Sequence, residues 1–150
     1  GFSVVAFSPD GCIAVLFDGK VEGKIVRLDK ESPPIEYQIA EEPTAWAITP
    51  DNRTLCMGQE NGCPTWRQAA DGSTDDGAPS IDVGSSIRSI VFSPIGQHLA
   101  LVGDDQTSVW SYPGGEQLAT TDYTGLIAAH PQEEEFAIAT QSRVHLWRWR

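Results

Sequence analysis

The sequence is short of positive charge, of cysteine and of long apolar runs. It carries 10 Lys and Arg against 21 Asp and Glu, a net charge of −11 over 150 residues. That balance opposes phosphate backbones and anionic lipid, and no basic cluster offsets it, so the chain reads as neither a nucleic-acid nor a membrane-surface binder. The longest apolar runs, such as Ile13 to Phe17, fall far below the roughly 20 residues that span a bilayer. No basic segment followed by an apolar stretch opens the chain, so no secretory signal is visible. The first residue is Gly1 rather than Met, from which an upstream segment is expected, and Val5 stands where a myristoylation signal needs Ser or Thr.

Cysteine is sparse and odd in number: Cys12, Cys56 and Cys63. A chain of this size folds without staples, so reduced thiols and a cytoplasmic or otherwise intracellular location are expected. Cys56 and Cys63 across a hairpin are the one conceivable disulfide; small buried core residues are the plainer reading. Asn52-Arg53-Thr54 is formally a glycosylation acceptor and reads better as a turn.

Catalytic signatures are also missing. There is no Gly-x-Ser-x-Gly elbow, no His-Glu-x-x-His, no Cys-x-x-Cys, no phosphate loop and no dinucleotide fingerprint. His98, His130 and His145 sit at unrelated strand positions and read as satisfied surface or core residues. Asp71 to Gly77 has the oxygen density of a calcium loop, but its glycine is one place late and residue 82 is Asp where Glu is needed. A solvated loop is the expectation there, as it is for Glu133-Glu134-Glu135, where three like charges need water. No Asp or Glu lies inside an apolar run, as a carboxyl with a raised pKa requires. No metal, no cofactor and no enzyme activity is therefore expected.

What the chain does have is a composition of 40% hydrophobic and 21% charged residues, enough for a sizeable core, and an internal repeat. Val5-Ala6-Phe7-Ser8-Pro9-Asp10-Gly11 is echoed by Trp46-Ala47-Ile48-Thr49-Pro50-Asp51-Asn52, by Ile90-Val91-Phe92-Ser93-Pro94-Ile95-Gly96 and by Ile127-Ala128-Ala129-His130-Pro131. The prolines are 41, 44 and 37 residues apart. A second apolar run follows each proline, and a third ends on Leu28, Trp66, Trp110 or Trp147. From proline to that anchor is 16 residues in the last three units and 19 in the first.

The runs are short, rich in β-branched and aromatic residues and separated by turn residues, so each unit reads as strands joined by tight turns. Alternation pairs Val5 with Phe7, Trp46 with Ile48, and Ile90 with Phe92 on one face. A fourth, outer strand fits Glu36 to Ile39, Ile81 to Val83 and Gln117 to Thr120. On the last strand Trp147 and Trp149 share one side, Arg148 and Arg150 the other. No window keeps helical periodicity, so the fold class is all-β: about four four-stranded antiparallel units, near residues 1–40, 41–84, 85–123 and 124–150, the last incomplete.

The unit resembles the WD-repeat family of β-propellers, most clearly in Val5-Ala6-Phe7-Ser8-Pro9-Asp10-Gly11, Val91-Phe92-Ser93-Pro94, Val109-Trp110 and Val144-His145-Leu146-Trp147. The resemblance implies four-stranded blades around a channel, with the third-strand anchors Leu28, Trp66, Trp110 and Trp147 packed between blades. The family's Gly-His before the first strand is absent, and Asp follows the anchor once, at Asp29, so the repeats are degenerate. Closed rings of this blade type need more than four units. Either the 150 residues belong to a longer chain or copies associate, because an open arc exposes two blade faces.

By the same resemblance the function is non-catalytic: a scaffold for other proteins, with the rim and channel mouth as the contact surface. That rim maps to Thr44, Gln59, Glu60, Ser86, Arg88, Asp104, Asp105, Tyr123 and Gln141. Arg88, a lone cation among acids, either meets a partner carboxylate or pairs with a neighbouring acid. Two alternatives stay open: a propeller whose catalytic or cofactor site lies in other blades, and a self-assembling half propeller.

Overall fold

The computed structural model describes residues 1–149, so Arg150 lies outside the described residues. All regular elements among them are strands. The first sheet holds β1 (Ser3–Phe7), β2 (Ile13–Phe17), β3 (Glu22–Arg27) and β4 (Ile35–Gln38). The second holds β5 (Ala45–Ile48), β6 (Thr54–Gly58) and β7 (Thr65–Gln68). The third holds β8 (Ser89–Phe92), β9 (His98–Val102), β10 (Thr107–Ser111) and β11 (Gln117–Thr121). The fourth holds β12 (Leu126–Ala129), β13 (Phe136–Ala139) and β14 (Val144–Trp147). Each is an antiparallel meander in chain order, and the first strands β1, β5, β8 and β12 stand side by side in that order.

The turn after each first strand repeats because its chemistry repeats. The Ser8 hydroxyl donates to Asp10 (2.7 Å) and accepts from the Ile13 N–H (2.9 Å). Thr49 does the same with Asp51 (2.6 Å) and the Thr54 N–H (3.1 Å), and Ser93 accepts from the His98 N–H (3.2 Å). In the last unit His130 takes this place, its Nδ1 accepting from the Glu133 N–H (2.9 Å). The two residues after proline must then reverse the chain, and Gly11, Asn52 and Gly96 sit there with φ of 73°, 63° and 71°. Asn is the side chain that best tolerates this left-handed region, which accounts for its standing in for glycine.

Three apolar clusters lie between neighbouring sheets. Ile13, Val15, Phe17 and Ile25 meet Trp46, Ile48, Leu55 and Met57; Cys56 and Trp66 meet Phe92, Leu99, Leu101 and Trp110; Ala100 and Val109 meet Phe136, Trp147 and Trp149. Each sheet therefore has a backward face, carrying the residue two before its proline and, in the last three sheets, also the residue four before it, and a forward face, carrying the residue three before it. Forward packs on backward at every junction.

Four expectations are corrected here. No outer strand forms at Ile81 to Val83; the second sheet is three-stranded, closed outside β7 by one bridge between Arg67 and Thr74. Ile81 is buried in the second cluster instead, and the Val83 N–H donates to the Gly62 carbonyl. Second, Val5 and Phe7 do not share a face. A bulge between Val4 and Ala6 breaks the period, so Val5 packs on the first cluster and Phe7 turns outward, 60% exposed.

Leu28 is not a buried anchor. It lies past β3, on the backward face with Lys24 and Val26, and no sheet covers that face of the first unit, so it is 54% exposed. Val26, opposite Ala14 and Phe7, holds the row that Trp110 and Trp147 hold in their sheets. Trp66 is buried but from the other side: it pairs with Cys56 and Ala47, one row away from Leu55 and Ile48. A one-residue difference in register moves a side chain across the sheet.

The acidic turn Glu133 to Glu135 is not simply solvated. Glu134 Oε2 lies 2.8 Å from His98 Nδ1, and Glu135, buried, accepts from Arg148. Partners from β9 and from the end of the chain draw these two carboxylates inward.

Candidate interaction surface

The rim residues come from loops at one end of the strands, and the structure brings most of them together. Thr44, Glu60, Ser86 and Arg88 line one depression of about 470 Å³, with Glu42 and Ile87. Arg88, Asp104 and Gln141 line a second, of about 700 Å³, with Thr124 and Leu126. Arg88 is the side chain common to both. Its Nε donates to Asp104 Oδ1 at 2.6 Å, so of the two roles open to it the pairing with a neighbouring acid is present, while the side chain stays 66% exposed. A guanidinium has five donors in a planar fork, so one bond to Asp104 leaves capacity for a second acceptor.

The rest of the rim is fixed from within. Thr44 is not a free hydroxyl; it donates to the Ile87 carbonyl of the next unit. Ser85, which the sequence did not single out, accepts from the Asp104 N–H at 3.0 Å and so holds the loop that carries the acid. Tyr123 stacks on His145, ring centres 3.6 Å apart, and its carbonyl accepts from Thr107 (2.7 Å). Asp105 is exposed in the β9–β10 turn and lines neither depression.

Gln59 is misplaced by the sequence reading. It is buried, donates to Thr65 (3.0 Å) and faces a separate cleft of about 470 Å³ beside Trp66, Arg67 and Met57. That cleft lies where the second sheet lacks its outer strand. Arg67 bridges its wall, donating to the Gln38 carbonyl (2.6 Å) and the Gly72 carbonyl (2.8 Å). No sequence signal marks it, because a strand that fails to form leaves the turn residues around it unchanged.

On the inner side, the first strands of all four sheets line a cleft of about 520 Å³ that ends on Pro9, Pro50, Pro94 and Pro131. In the turns after Pro9 and Pro50, Asn52 Nδ2 donates to Asp10 Oδ2 at 2.6 Å, tying the first turn to the second. The Cys12 backbone N–H, the Ser8 hydroxyl and this amide hold the Asp10 carboxyl well below the usual carboxylate range. Among the described residues no three or more His, Cys, Asp or Glu gather as metal ligands, and the three cysteines are unpaired thiols. No helix is long and apolar enough to cross a membrane.

Successive antiparallel meanders, set side by side by their first strands and packed face on face, give one architecture. The chain folds as part of a β-propeller. Among solved structures it is similar to the β-propeller domain of Myceliophteria thermophila Cps50 (Swd1), with a TM-score of 0.74 and 14% identity. The match covers 97% of this chain and 52% of that one, so the chain spans about half the length of that structure. No protein-family model matches the sequence, and no curated protein matches it. At this identity the likeness carries the fold and leaves the function to be argued from the surface.

Proposed function

We propose that the chain is a WD-repeat-like propeller segment serving as a non-catalytic scaffold, with the rim around Arg88 receiving a segment of another protein. One observation carries this reading: Arg88 is the shared wall of two adjoining rim depressions, mostly in solvent and paired with Asp104. A side chain placed so is poised to add a partner carboxylate or carbonyl to its bond with Asp104, and Arg, with Trp and Tyr, is enriched at the centre of such contacts. The surrounding Glu42, Glu60 and Asp104 restrict the site to partners that tolerate negative charge, and the net charge of −11 disfavours nucleic acid.

The test is Arg88→Glu in affinity capture from the cell of origin, with bound proteins quantified against wild type. Loss of specific partners at an unchanged melting temperature is expected, because an exposed pair is worth only about 0–1 kcal/mol to folding. Equal capture by both proteins removes Arg88 from the contact surface.

A further inference from the structure

We propose that a cleft between the first two sheets, at the opposite end of the strands from the rim, binds a short acidic peptide segment of another protein that also carries apolar side chains. This goes beyond the rim reading and is independent of it. Arg88 is no part of the cleft, so either can fail while the other stands.

The cleft forms where three chain reversals meet. β3 ends on Arg27, residues 28–34 lead into β4, the β5–β6 turn brings Asn52 and Arg53, and β7 runs out into Ala69. Both walls therefore come from neighbouring sheets within the chain. The space enclosed is about 630 Å³, of the size that takes a specific ligand. Its floor is the outer edge of the first apolar cluster: Ile25 and Ala69 are buried there, and Ile35, opposite Ile25 in the sheet, packs against them. The Ala69 N–H donates to the Arg53 carbonyl (2.8 Å), which fixes the wall made by the second sheet.

Charge sets this cleft apart. Arg27, Lys30 and Arg53 line it and no acid does, in a chain with 10 cations and 21 acids. The other charged clefts all have acids in their walls: Glu42 and Glu60, Asp104, or Glu41 and Asp75. Acids near this one are mostly engaged. Asp29 forks onto Arg27 (3.1 and 2.8 Å) and its charge also reaches Lys30, while Asp51 accepts from the Thr49 hydroxyl and the Arg53 backbone N–H. Glu31 is exposed in the loop beside Lys30, outside the lining. Among the described residues no hydrogen bond or ion pair holds the side chains of Lys30 and Arg53, and both are exposed. An apolar floor edged by unpaired cations matches carboxylates set around apolar side chains, the pattern of a dry contact centre with a charged border. Length is limited by the rest of the surface. A long polyanion or an anionic membrane would lie over a molecule of net charge −11, whereas a short segment confines its charge to the cleft.

Fluorescence anisotropy of a short labelled peptide alternating glutamate and leucine, titrated with the whole chain, tests this. Wild type is expected to bind it and to shift the backbone amide resonances of Ala69 and Ala70. Binding should weaken as salt rises from about 0.01 M to about 0.1 M, where the screening length falls from about 30 Å to about 10 Å. Lys30→Glu and Arg53→Glu change exposed side chains, so each should keep the wild-type far-ultraviolet spectrum while losing roughly tenfold in affinity. Lys20→Glu makes the same change of charge in the β2–β3 hairpin, at the far end of the strands, and should bind as wild type does. An all-glutamate peptide and one alternating serine and leucine should each bind roughly tenfold more weakly than the first.

No binding of the glutamate–leucine peptide by wild type at about 1 mM, the weakest affinity such a contact would have, overturns the proposal. So does an equal loss in Lys20→Glu, which would trace the effect to net charge, or no loss in Lys30→Glu and Arg53→Glu. An all-glutamate peptide that binds as tightly removes the apolar floor from the contact. Octanoate binding as tightly as the peptide, with the same amide shifts, overturns the peptide as occupant and gives the cleft to a small apolar anion.

Discussion

Truncating Trp110 should be among the costliest single changes on the third strands, and the structure says how much. The ring is 8% exposed between the second and third sheets, opposite Leu99, and its Nε1 donates to Ser108 at 2.8 Å. A buried Trp covers about 150–250 Å², which at about 25 cal/mol per Å² is roughly 4–6 kcal/mol. The unfolded chain already hides part of that surface, so the figure is an upper bound. Measured Trp and Phe truncations bring it to about 3–5 kcal/mol. Trp110→Ala should therefore lower the urea midpoint sharply with the slope unchanged, and drop the melting temperature by about 6–20 °C for a chain of this size. Leu28→Ala, at the position that sequence alone equates with Trp110, should stay within about 0.5 kcal/mol of wild type, as exposed sites do. A cost below about 1 kcal/mol for Trp110→Ala, or equal costs for the two variants, would refute the register and the open first face together.

Acid should weaken the first turn selectively. The Asp10 carboxyl in the folded chain sits below its ordinary 3.8, so on acidification the unfolded chain takes up the proton first. Its contribution is whole above about pH 5 and is lost as pH falls through 4 toward the folded value. The melting-temperature difference between wild type and Asp10→Asn should accordingly narrow steadily as pH falls below 4 and still be partly present at pH 2; a difference that stays constant between pH 6 and pH 2 contradicts the turn geometry. The thiols give a third check. Burial pushes Cys56 well up and leaves it out of reach, whereas Cys12 and Cys63 are partly exposed, though both are also raised, by partial burial with Asp10 and Asp82 beside them. Alkylation of the native chain read by mass spectrometry should add at most two groups, both slowly, and a third only in denaturant; a rapid third addition would show the second junction open.

The repeat was legible because its determinants are local. A hydroxyl before proline, an acid or apolar residue after it and a residue tolerant of positive φ next define the turn without help from the rest of the fold, and Ser8, Thr49 and Ser93 all use it. Strand identity followed from the same local signals. What sequence missed depended on neighbours. The bulge at Val5 reversed the side taken by Phe7, and no residue there announces a bulge. The register step that turned Trp66 to the forward face came from the β6–β7 loop, while the proline-to-tryptophan spacing stayed the same as in the next unit.

Ile81 to Val83 had strand composition, yet burying Ile81 against the third sheet competed with pairing to β7 and prevailed. At the rim the loops do lie at one end of the strands, but their side chains were not separable by position. Gln59 and Glu60 are adjacent, and alternation sent one inward to Thr65 and left the other in the depression with Arg88. The Arg88–Asp104 bond was foreseen as one of two options because both residues were already on the mapped rim. The inward turn of Glu134 and Glu135 was not, since His98 and Arg148 are distant in sequence.

Each sheet touches only the sheets before and after it, and that has a consequence for how the molecule comes apart. Cooperativity in such an array is carried by nearest neighbours, as in a one-dimensional chain of coupled units. The second strands of the middle sheets, β6 and β9, are buried along their whole length, while the flanking sheets present one side to water. Opening then begins at the two ends and travels inward. Amides of β9 and β6 should be the last to exchange with solvent, and those of β12 and β14 among the first. The protein that unzips this way has its sturdiest part at its centre and its most changeable parts where another molecule can reach them.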